Sequence, residues 1–293
     1  MSAAVVDALQ VRRNFARAAA TYDAVAVLQR EVGSRMLERL DYVKIAPQRV
    51  LDLGCGTGAS LGALSERYPK AQVVGADVSE AMLRVAHKER SRLRYLLPFL
   101  RGKKSSLLAA DALALPVKSA ALGMVWSNLM LHWVSDPPSV FREMQRTLEV
   151  GGLLMFSTFG PDTLKELRAS FSDGYAHCQR FTDMHDYGDM LVEAGFADPV
   201  MDAEVLTMTY PNFDGLLRDL RQSGSTCTMH DRRHGLTGRS AWRAARAEYD
   251  NRMNGGRLPA SFEVVYGHAW KVAPQKTADG AAIVRFDPKQ RLR

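Results

Sequence analysis

The chain has few cysteines, no long apolar run and no recognisable targeting segment. Each absence excludes a class of protein. Three cysteines occur in 293 residues. They lie far apart and lack metal-ligand spacing, so we expect neither a disulfide framework nor a metal site. No apolar run reaches the ~18 residues of a membrane-spanning helix. The first residues have neither a basic region nor a long apolar region, so we expect a cytoplasmic protein that does not bind membranes.

Composition predicts a globular enzyme-sized chain with basic appendages. Hydrophobic residues make up 46% of the sequence, enough for one large core with a smaller second unit. The net charge of +7 is uneven: residues 211–259 hold nine arginines against five acidic residues, whereas residues 49–210 are close to neutral. Basic appendages on a neutral core suggest an acidic partner. Nucleic acid and an acidic carrier protein both fit that description.

The stretch Val50–Gly58 predicts an apolar strand that runs into a turn with glycines at positions 54, 56 and 58. Glycine adopts positive φ angles cheaply and has no side chain, so backbone N–H groups of such a turn could approach a ligand closely. A helix is predicted over Ala59–Arg67. Together these elements form the first βα unit of a doubly wound sheet, in which ligands bind at the carboxyl ends of the strands.

The spacing of the glycines favours S-adenosylmethionine over a dinucleotide. The dinucleotide fingerprint G-x-G-x-x-G would require glycine at position 59, where the chain has Ala59. A pyrophosphate needs a helix N-terminus for its negative charge. S-adenosylmethionine has no phosphate and carries an ammonium and a sulfonium, and Asp52 just before the turn suits a cation.

The next three predicted strands also end in polar residues, at the edge where the glycine turn lies. Strand two ends in Asp77, placed to accept the ribose hydroxyls, and strand three ends in Asp111, next to Ala112, where adenine could bind. Strand four, Leu122–Asn128, ends in Ser127 and Asn128. This order resembles the class I S-adenosylmethionine-dependent methyltransferases. The predicted cofactor-binding residues are Asp52, Gly54, Gly56, Asp77, Met82, Asp111, Ala112 and Ser127.

The predicted fold is an α/β, Rossmann-like class I methyltransferase. We expect a seven-stranded, mostly parallel sheet with an antiparallel last strand and a helical cap inserted before it. Strands five, six and seven are expected within residues 153–159, 203–210 and 262–272. The predicted units are N-terminal helices over the active site (1–48), the cofactor-binding core (49–210 and 260–272), the cap (211–259) and a basic tail (273–293). The basic segment 90–104 is interpreted as a solvated loop or helix, so no nucleic-acid partner is expected.

Several segments resemble the malonyl-[acyl-carrier protein] O-methyltransferases of biotin synthesis. They are Phe15–Tyr22, Trp126–Trp133, Phe156–Phe159, Arg180-Phe181 and Leu217–Thr226. The resemblance implies methyl transfer from S-adenosylmethionine to the free carboxylate of a malonyl thioester, carried by acyl carrier protein or by coenzyme A. The methyl ester formed would start pimeloyl chain formation.

Two other enzyme classes remain open. Segments such as Gln29–Arg35 and Phe159–Arg168 also resemble the mitochondrial complex I assembly factor that is an arginine hydroxylase with a methyltransferase fold. The basic charge alone would suit an RNA methyltransferase. The N-P-P-Y motif of amino-group methylation is absent, however, since Asn128 is followed by Leu-Met-Leu.

The methyltransferase resemblance suggests which side chains would act on the substrate. Tyr22 could orient the carboxylate, or simply pack in its helix. Arg180 and Arg218 could bind the carboxylate through a pair of N–H groups, as arginine does, or lie on the solvated surface. His132 could donate to the substrate or be a satisfied structural group. These four are the predicted catalytic residues.

Overall fold

The computed structural model describes residues 5–96 and 105–273. In this part of the chain, seven strands form one sheet in the order β3-β2-β1-β4-β5-β7-β6. The strands are β1 (Arg49–Leu53), β2 (Gln72–Asp77), β3 (Ser105–Ala109), β4 (Leu122–Asn128), β5 (Leu148–Phe159), β6 (Phe196–Tyr210) and β7 (Leu258–Lys271).

Strand directions confirm the predicted fold class. Neighbours among β1 to β5 pair in parallel, whereas β7 runs antiparallel to both β5 and β6. Strand β1 lies between β2 and β4, so the chain reverses its winding direction there. Crevices at such switch points are where open α/β sheets bind ligands.

Helices cover both faces of the sheet. They are α1 (Ala8–Ala18), α2 (Tyr22–Val25), α3 (Val27–Arg39), α4 (Ala59–Arg67), α5 (Glu80–Leu96), α6 (Pro137–Thr147), α7 (Lys165–Ala169), α8 (Met184–Glu193), α9 (Phe213–Gln222) and α10 (Arg239–Asp250). Short polar side chains cap several N-termini: the carboxylate of Asp7 accepts from Gln10 N at 3.0 Å, and Asn212 Oδ1 accepts from Gly215 N at 2.8 Å.

The last three strands begin earlier than predicted, and the reason lies in their pairing. Strand β5 starts at Leu148, which pairs with Leu122 before a register shift; regular pairing resumes at Leu153 opposite Met124. Gly151 lies within this irregularity and has φ +82°. A residue with a side chain would be strained in this backbone conformation. The β6–β7 ladder runs from Tyr210 opposite Leu258 to Phe196 opposite Lys271, with one bulge. Both strands are long because each provides hydrogen-bond partners for the backbone of the other along this whole length.

The N-terminal helices and the cap share one face of the sheet. Met36 and Leu40 from the α3 region belong to the same buried cluster as Phe213 and Tyr249 from the cap. Helices α6 and α8 cover the opposite face with a separate buried cluster that includes Phe141 and Tyr187. Two chain segments that are distant in sequence therefore pack on the same face of the sheet. Below, the carboxyl ends of the parallel strands, where the sequence predicts the cofactor, are called the cofactor edge.

A set of contacts, here called the clasp, ties residues 5–21 to cap residues 222–232. Val6 forms an isolated antiparallel bridge with Met229. A side-chain ion pair joins Arg232 Nη2 to Asp7 Oδ2 at 3.1 Å. Asn14 Nδ2 donates to Thr226 Oγ1 at 2.8 Å. The clasp fixes α1 against the cap.

The predictions for residues 90–104 and for the tail 273–293 fall largely outside the described residues. Within the described part, no helix is long and apolar enough to cross a membrane. The same residues contain no group of three or more His, Cys, Asp or Glu side chains arranged to hold a metal ion.

Candidate active site

A cavity of about 350 Å³ lies at the carboxyl edge of the sheet, beneath α1. Its floor comes from the ends of β1, β2 and β4 and the loop after β3, and its roof includes Val11 and Phe15 from α1. The size falls within the range of small-molecule sites. Predicted residues in its wall are Tyr22, Gly54, Gly56, Asp77, Met82, Asp111, Ala112 and His132.

The glycine turn has the conformation that its sequence predicts. Gly54, Gly56 and Gly58 have φ angles of +79°, +53° and +84°, values that other L-residues adopt only at a cost. A Cβ on Gly54 would come within 2.4 Å of Met130 Cγ, whereas one on Gly56 would meet nothing within 4 Å. Gly54 is therefore required by packing, and Gly56 leaves open surface toward the cavity.

The N–H groups of this turn are used differently from our expectation. Those of Gly54 and Cys55 donate to Ala76 O at 2.8 and 3.0 Å. The N–H of Gly56 donates to Asp77 Oδ2 at 2.9 Å, and that of Gly58 closes the turn on Cys55 O at 2.8 Å. A ligand consequently meets these positions without their N–H donors. A phosphate would want those donors, and S-adenosylmethionine has no phosphate.

Asp77 is fixed at the end of β2 by two backbone donors. Gly56 N approaches Oδ2, and Ser79 N approaches Oδ1 at 2.8 Å. Burial raises the pKa of this carboxyl, while the backbone donors at Ser79 and Gly56 act in the opposite direction. Each oxygen has a further lone pair, so the carboxylate can still accept from a pair of ligand hydroxyls. That donor set fits the ribose of S-adenosylmethionine.

Two predicted cofactor residues lie behind the cavity wall. Asp52 is 2% exposed, and burial, assisted by the negative charge of Asp77, raises its pKa to about 8. Ser127 is fully buried, and its Oγ donates to Leu53 O at 2.9 Å. Ser127 supports the end of β1, while Asp52 is mostly protonated at neutral pH in the ligand-free protein, and a bound cation would favour its charged form.

Tyr22 lies at the start of α2, in the cavity wall close to Asp77. Burial and the nearby carboxylates of Asp77 and Asp23 raise the pKa of its phenol, so the hydroxyl stays protonated at neutral pH. Thr57 Oγ1 in the glycine turn donates to Asp23 Oδ1 at 2.6 Å. This bond anchors α2 against the turn and holds Tyr22 beside the cofactor edge.

His132 is buried in an aromatic environment in the short helical turn after β4. Its ring lies 4.7 Å from Phe159 and 4.9 Å from Trp133, centroid to centroid, and burial lowers its pKa to about 3. Nδ1 lies 3.3 Å from Thr158 Oγ1, which is 3.3 Å from Tyr187 Oη. Nε2 is buried and has no partner among the described residues. The imidazole is thus neutral.

A second cavity of about 200 Å³ adjoins the first, between α9 and the segment 163–181. Its wall is largely apolar and includes Leu164, Leu217, Trp242 and Phe262. The residues that line both cavities are Gln29, Trp133, Phe159 and Ser225. We call the region around these side chains the junction.

Comparison with known proteins identifies the fold and the family. A family model described as a methyltransferase domain matches residues 51–156. A putative methyltransferase structure from Bacillus halodurans superposes with a TM-score of 0.55 at 19% identity, covering 81% of this chain and 99% of that one. At that identity the likeness shows the fold alone.

Curated relatives are much more similar. The malonyl-[acyl-carrier protein] O-methyltransferase of Gallionella capsiferriformans is 50% identical over 287 residues, covering 97% of this chain and 98% of the relative. The enzyme of that name from Laribacter hongkongensis is 49% identical over 290 residues, with 96% of both chains covered. The chain belongs to the malonyl-[acyl-carrier protein] O-methyltransferase family. S-adenosylmethionine is accordingly its co-substrate.

Two of the residues predicted from the resemblance lie away from both cavities in this family member. Arg180 is 54% exposed and forms an ion pair with the similarly exposed Asp231. Arg218 lies on α9, and neither arginine belongs to either cavity wall. The geometry therefore does not favour them as ligands of a buried carboxylate, and the four catalytic assignments stay predictions.

Several wall residues of this O-methyltransferase site were not among the predicted site residues. Gln29 and Arg12 come from the N-terminal helices, and Asn128 and Met130 come from the end of β4. Asn128 was visible as a polar residue at a strand end. Gln29 has no motif of its own, and only the helix that carries it across the sheet places it in the site.

Proposed function

We propose that this protein transfers the methyl group of S-adenosylmethionine to the free carboxylate of a malonyl thioester on acyl carrier protein. The product would be the malonyl methyl ester that starts pimeloyl chain formation in biotin synthesis, made in the cytoplasm. The observation that carries this proposal is the near full-length identity to relatives of that name. The match includes the N-terminal helices and the cap, which form the roof over the cofactor edge.

The described residues suit S-adenosylmethionine, which supplies an electrophilic methyl group on a cationic sulfur. Gly54 and Gly56 would allow its close approach, Asp77 would accept the ribose hydroxyls, and Asp111 and Ala112 would border the adenine. Aromatic rings in the wall attract a cation at their faces. Phe15 lies 5.3 Å from Trp133 and 6.5 Å from Tyr22, so three such rings stand together.

The proposed reaction needs no general base from the protein. A carboxyl group with a pKa of ~4 is already ionised at neutral pH and can attack in line. An anion and a cation combine to give neutral products, so removing water from both lowers the barrier. Helix α1 and the cap, joined by the clasp, provide the roof that would exclude water.

The second cavity supports the proposed thioester substrate. A malonyl group whose carboxylate reaches the cofactor must extend its thioester away from it, and the apolar cavity beyond the junction offers that space. The cap, which forms part of this cavity, also carries nine arginines. Basic side chains around such an opening would attract an acidic carrier protein.

The test is transfer of a labelled methyl group from S-adenosylmethionine to malonyl-acyl carrier protein. We expect label on the carrier that an esterase releases, and none on acetyl-acyl carrier protein, which has no free carboxylate. Absence of transfer to the malonyl carrier would contradict the proposal. A hydroxylated arginine on a partner protein, in place of transfer, would support the arginine hydroxylase alternative instead.

A further inference from the structure

The walls of the two cavities contain few cationic groups for a substrate carboxylate. Among the described residues, the arginines in these walls are Arg12 and Arg221. Both are exposed, and neither of them lines both cavities. A carboxylate that reaches the junction must therefore be held by other donors.

Physical reasoning favours neutral donors at that position. The carboxylate loses negative charge as it bonds to the methyl group, so a strong cationic partner stabilises the reactant more than the transition state. Interactions of that kind improve binding without raising the rate of the chemical step. Neutral N–H or O–H donors also fix the direction of attack, and they stabilise the reactant carboxylate less than a cation does.

Gln29 occupies the junction and has an unused polar atom there. Its side chain lines both cavities, and its buried Oε1 has no hydrogen-bond partner within residues 5–96 and 105–273. Gln29 Nε2 likewise makes no hydrogen bond to a described residue, and unlike Oε1 it is not fully buried. Its N–H donors are therefore available to a ligand at the junction.

The backbone around Gln29 is held in place. Asn128 Nδ2, at the end of β4, donates to Gln29 O at 2.9 Å. Asn128 Oδ1 in turn accepts from Ser157 Oγ on β5 at 2.8 Å. Two neighbouring strands therefore fix this part of α3, so the amide has a defined location beside the cofactor edge.

We propose that the side-chain amide of Gln29 binds the attacking carboxylate of the substrate as a neutral donor at the junction. This inference rests on the proposed function. His132 lies in the wall of the same cavity. When Tyr187 donates to Thr158 and Thr158 donates to Nδ1 of His132, the proton of the neutral imidazole lies on Nε2. Gln29 contacts the reacting group and is thus a substrate-binding residue.

The test uses Gln29→Leu and Gln29→Glu in the full chain, with malonyl coenzyme A as the substrate probe. A lost hydrogen bond to a charged group should lower kcat/KM by about 10- to 100-fold in Gln29→Leu. Gln29→Glu should lose more at neutral pH because two carboxylates repel. The loss should shrink as the pH falls, because a protonated glutamic acid regains a donor.

Binding of S-adenosylmethionine, measured by calorimetry, distinguishes substrate binding from a structural role. If Gln29 only supported the fold, its replacement would also weaken cofactor binding, whereas we expect the Kd of S-adenosylmethionine to stay within about twofold of wild type in both variants. Matched controls are Gln48→Leu and Gln48→Glu, since Gln48 is exposed just before β1, at the opposite edge of the sheet. These controls should retain full kcat/KM and melting temperature.

Three results would overturn the proposal for Gln29. The first is an unchanged kcat/KM in Gln29→Leu. The second is weaker binding of S-adenosylmethionine by the same factor as the loss in kcat/KM, which would make Gln29 a cofactor residue. The third is a Gln29→Glu activity that does not recover at lower pH. A wild-type protein that is inactive on malonyl-acyl carrier protein as well would instead reject the proposed function itself.

Discussion

The cofactor side and the substrate side of this site are built in different ways. On the cofactor side, Gly56 and Asp77 are 21 positions apart and meet because β1 and β2 are neighbouring strands. On the substrate side, Asn14 meets Thr226 across 212 positions, and Asp7 meets Arg232 across 225. A local βα repeat forms the first, whereas docking of the cap on the N-terminal helices forms the second.

The difference implies that each side can be damaged separately. Contacts within the βα units should control binding of S-adenosylmethionine, and contacts of the clasp should control the malonyl substrate. The following substitutions test that separation.

The largest effect is expected for Asp77→Ala on the cofactor side. The variant loses the carboxylate that binds Gly56 N and Ser79 N and that would accept the ribose hydroxyls. We expect the Kd of S-adenosylmethionine to rise about 100-fold by calorimetry while the protein stays folded. Asp189→Ala, an exposed position on α8, is the control. Unchanged binding in Asp77→Ala would reject the cofactor site described here.

A smaller effect, on the other side of the site, is expected for Asp7→Ala. This change removes the N-cap of α1 and the ion pair of the clasp. Cap loss typically costs about 1 kcal/mol, so the KM for malonyl-acyl carrier protein should rise about fivefold while the Kd of S-adenosylmethionine changes less.

The control for the clasp is Asp183→Ala. Asp183 caps α8 through His185 N at 2.8 Å, away from the cavities. It should lose similar stability in thermal melts and keep its KM. Equal KM changes in the two variants would mean that general destabilisation, rather than the clasp, affects the substrate side.

A pH-dependent effect is expected from Asp52, whose pKa rises from 3.8 to about 8 on folding. The folded protein then binds this proton more tightly than the unfolded chain does, so the free energy of unfolding falls as pH rises between these values. Asp52→Asn removes the buried charge. At pH 8 the ligand-free variant should therefore melt at a higher temperature than wild type. We expect about 2–4 °C for each kcal/mol that the substitution adds to the free energy of unfolding.

The same melts at pH 4 provide the check on Asp52. Both folded forms are then uncharged at position 52, so the gap in melting temperature should nearly close. An equal gap at pH 4 and pH 8 would show that packing, not charge, distinguishes Asp52 from Asn.

The smallest effect is expected for Arg180→Ala and Arg218→Ala. Neither residue lines a cavity, and exposed ion pairs such as Arg180 with Asp231 contribute about 0–1 kcal/mol. With malonyl coenzyme A as substrate, kcat/KM should stay within about twofold of wild type. A loss above tenfold for either variant would restore it as a ligand of the carboxylate.

Much of the cofactor side could be predicted from the sequence because its geometry is local. The φ angles of the glycine turn and the position of Asp77 follow from a strand, a turn and a helix in succession. Even there, the use of the turn N–H groups was not predictable, since their acceptors lie at Ala76 and Asp77 on the neighbouring strand. The starts of β5 and β6 were also missed, because pairing rather than apolar pattern sets them.

On the substrate side, the sequence alone does not show which side chains lie in the cavity walls. Tyr22 and His132 line the cavity as their motifs suggested, but Arg180 and Arg218 are chemically equal to any other arginine in the sequence. Only the tertiary structure decides that these two arginines lie outside the cavity walls, while the contact of α3 with the end of β4 places Gln29 at the junction.

The βα order, the glycine turn and the acidic strand ends follow from the sequence alone, because short-range sterics and continuous apolar runs such as β1 and β4 can be recognised from neighbouring residues. The tertiary structure decided which donors meet at the junction and which charges stay in water. That choice depends on contacts between segments distant in sequence, from the 99 positions between Gln29 and Asn128 to the 225 between Asp7 and Arg232. Such contacts form only when the whole core packs.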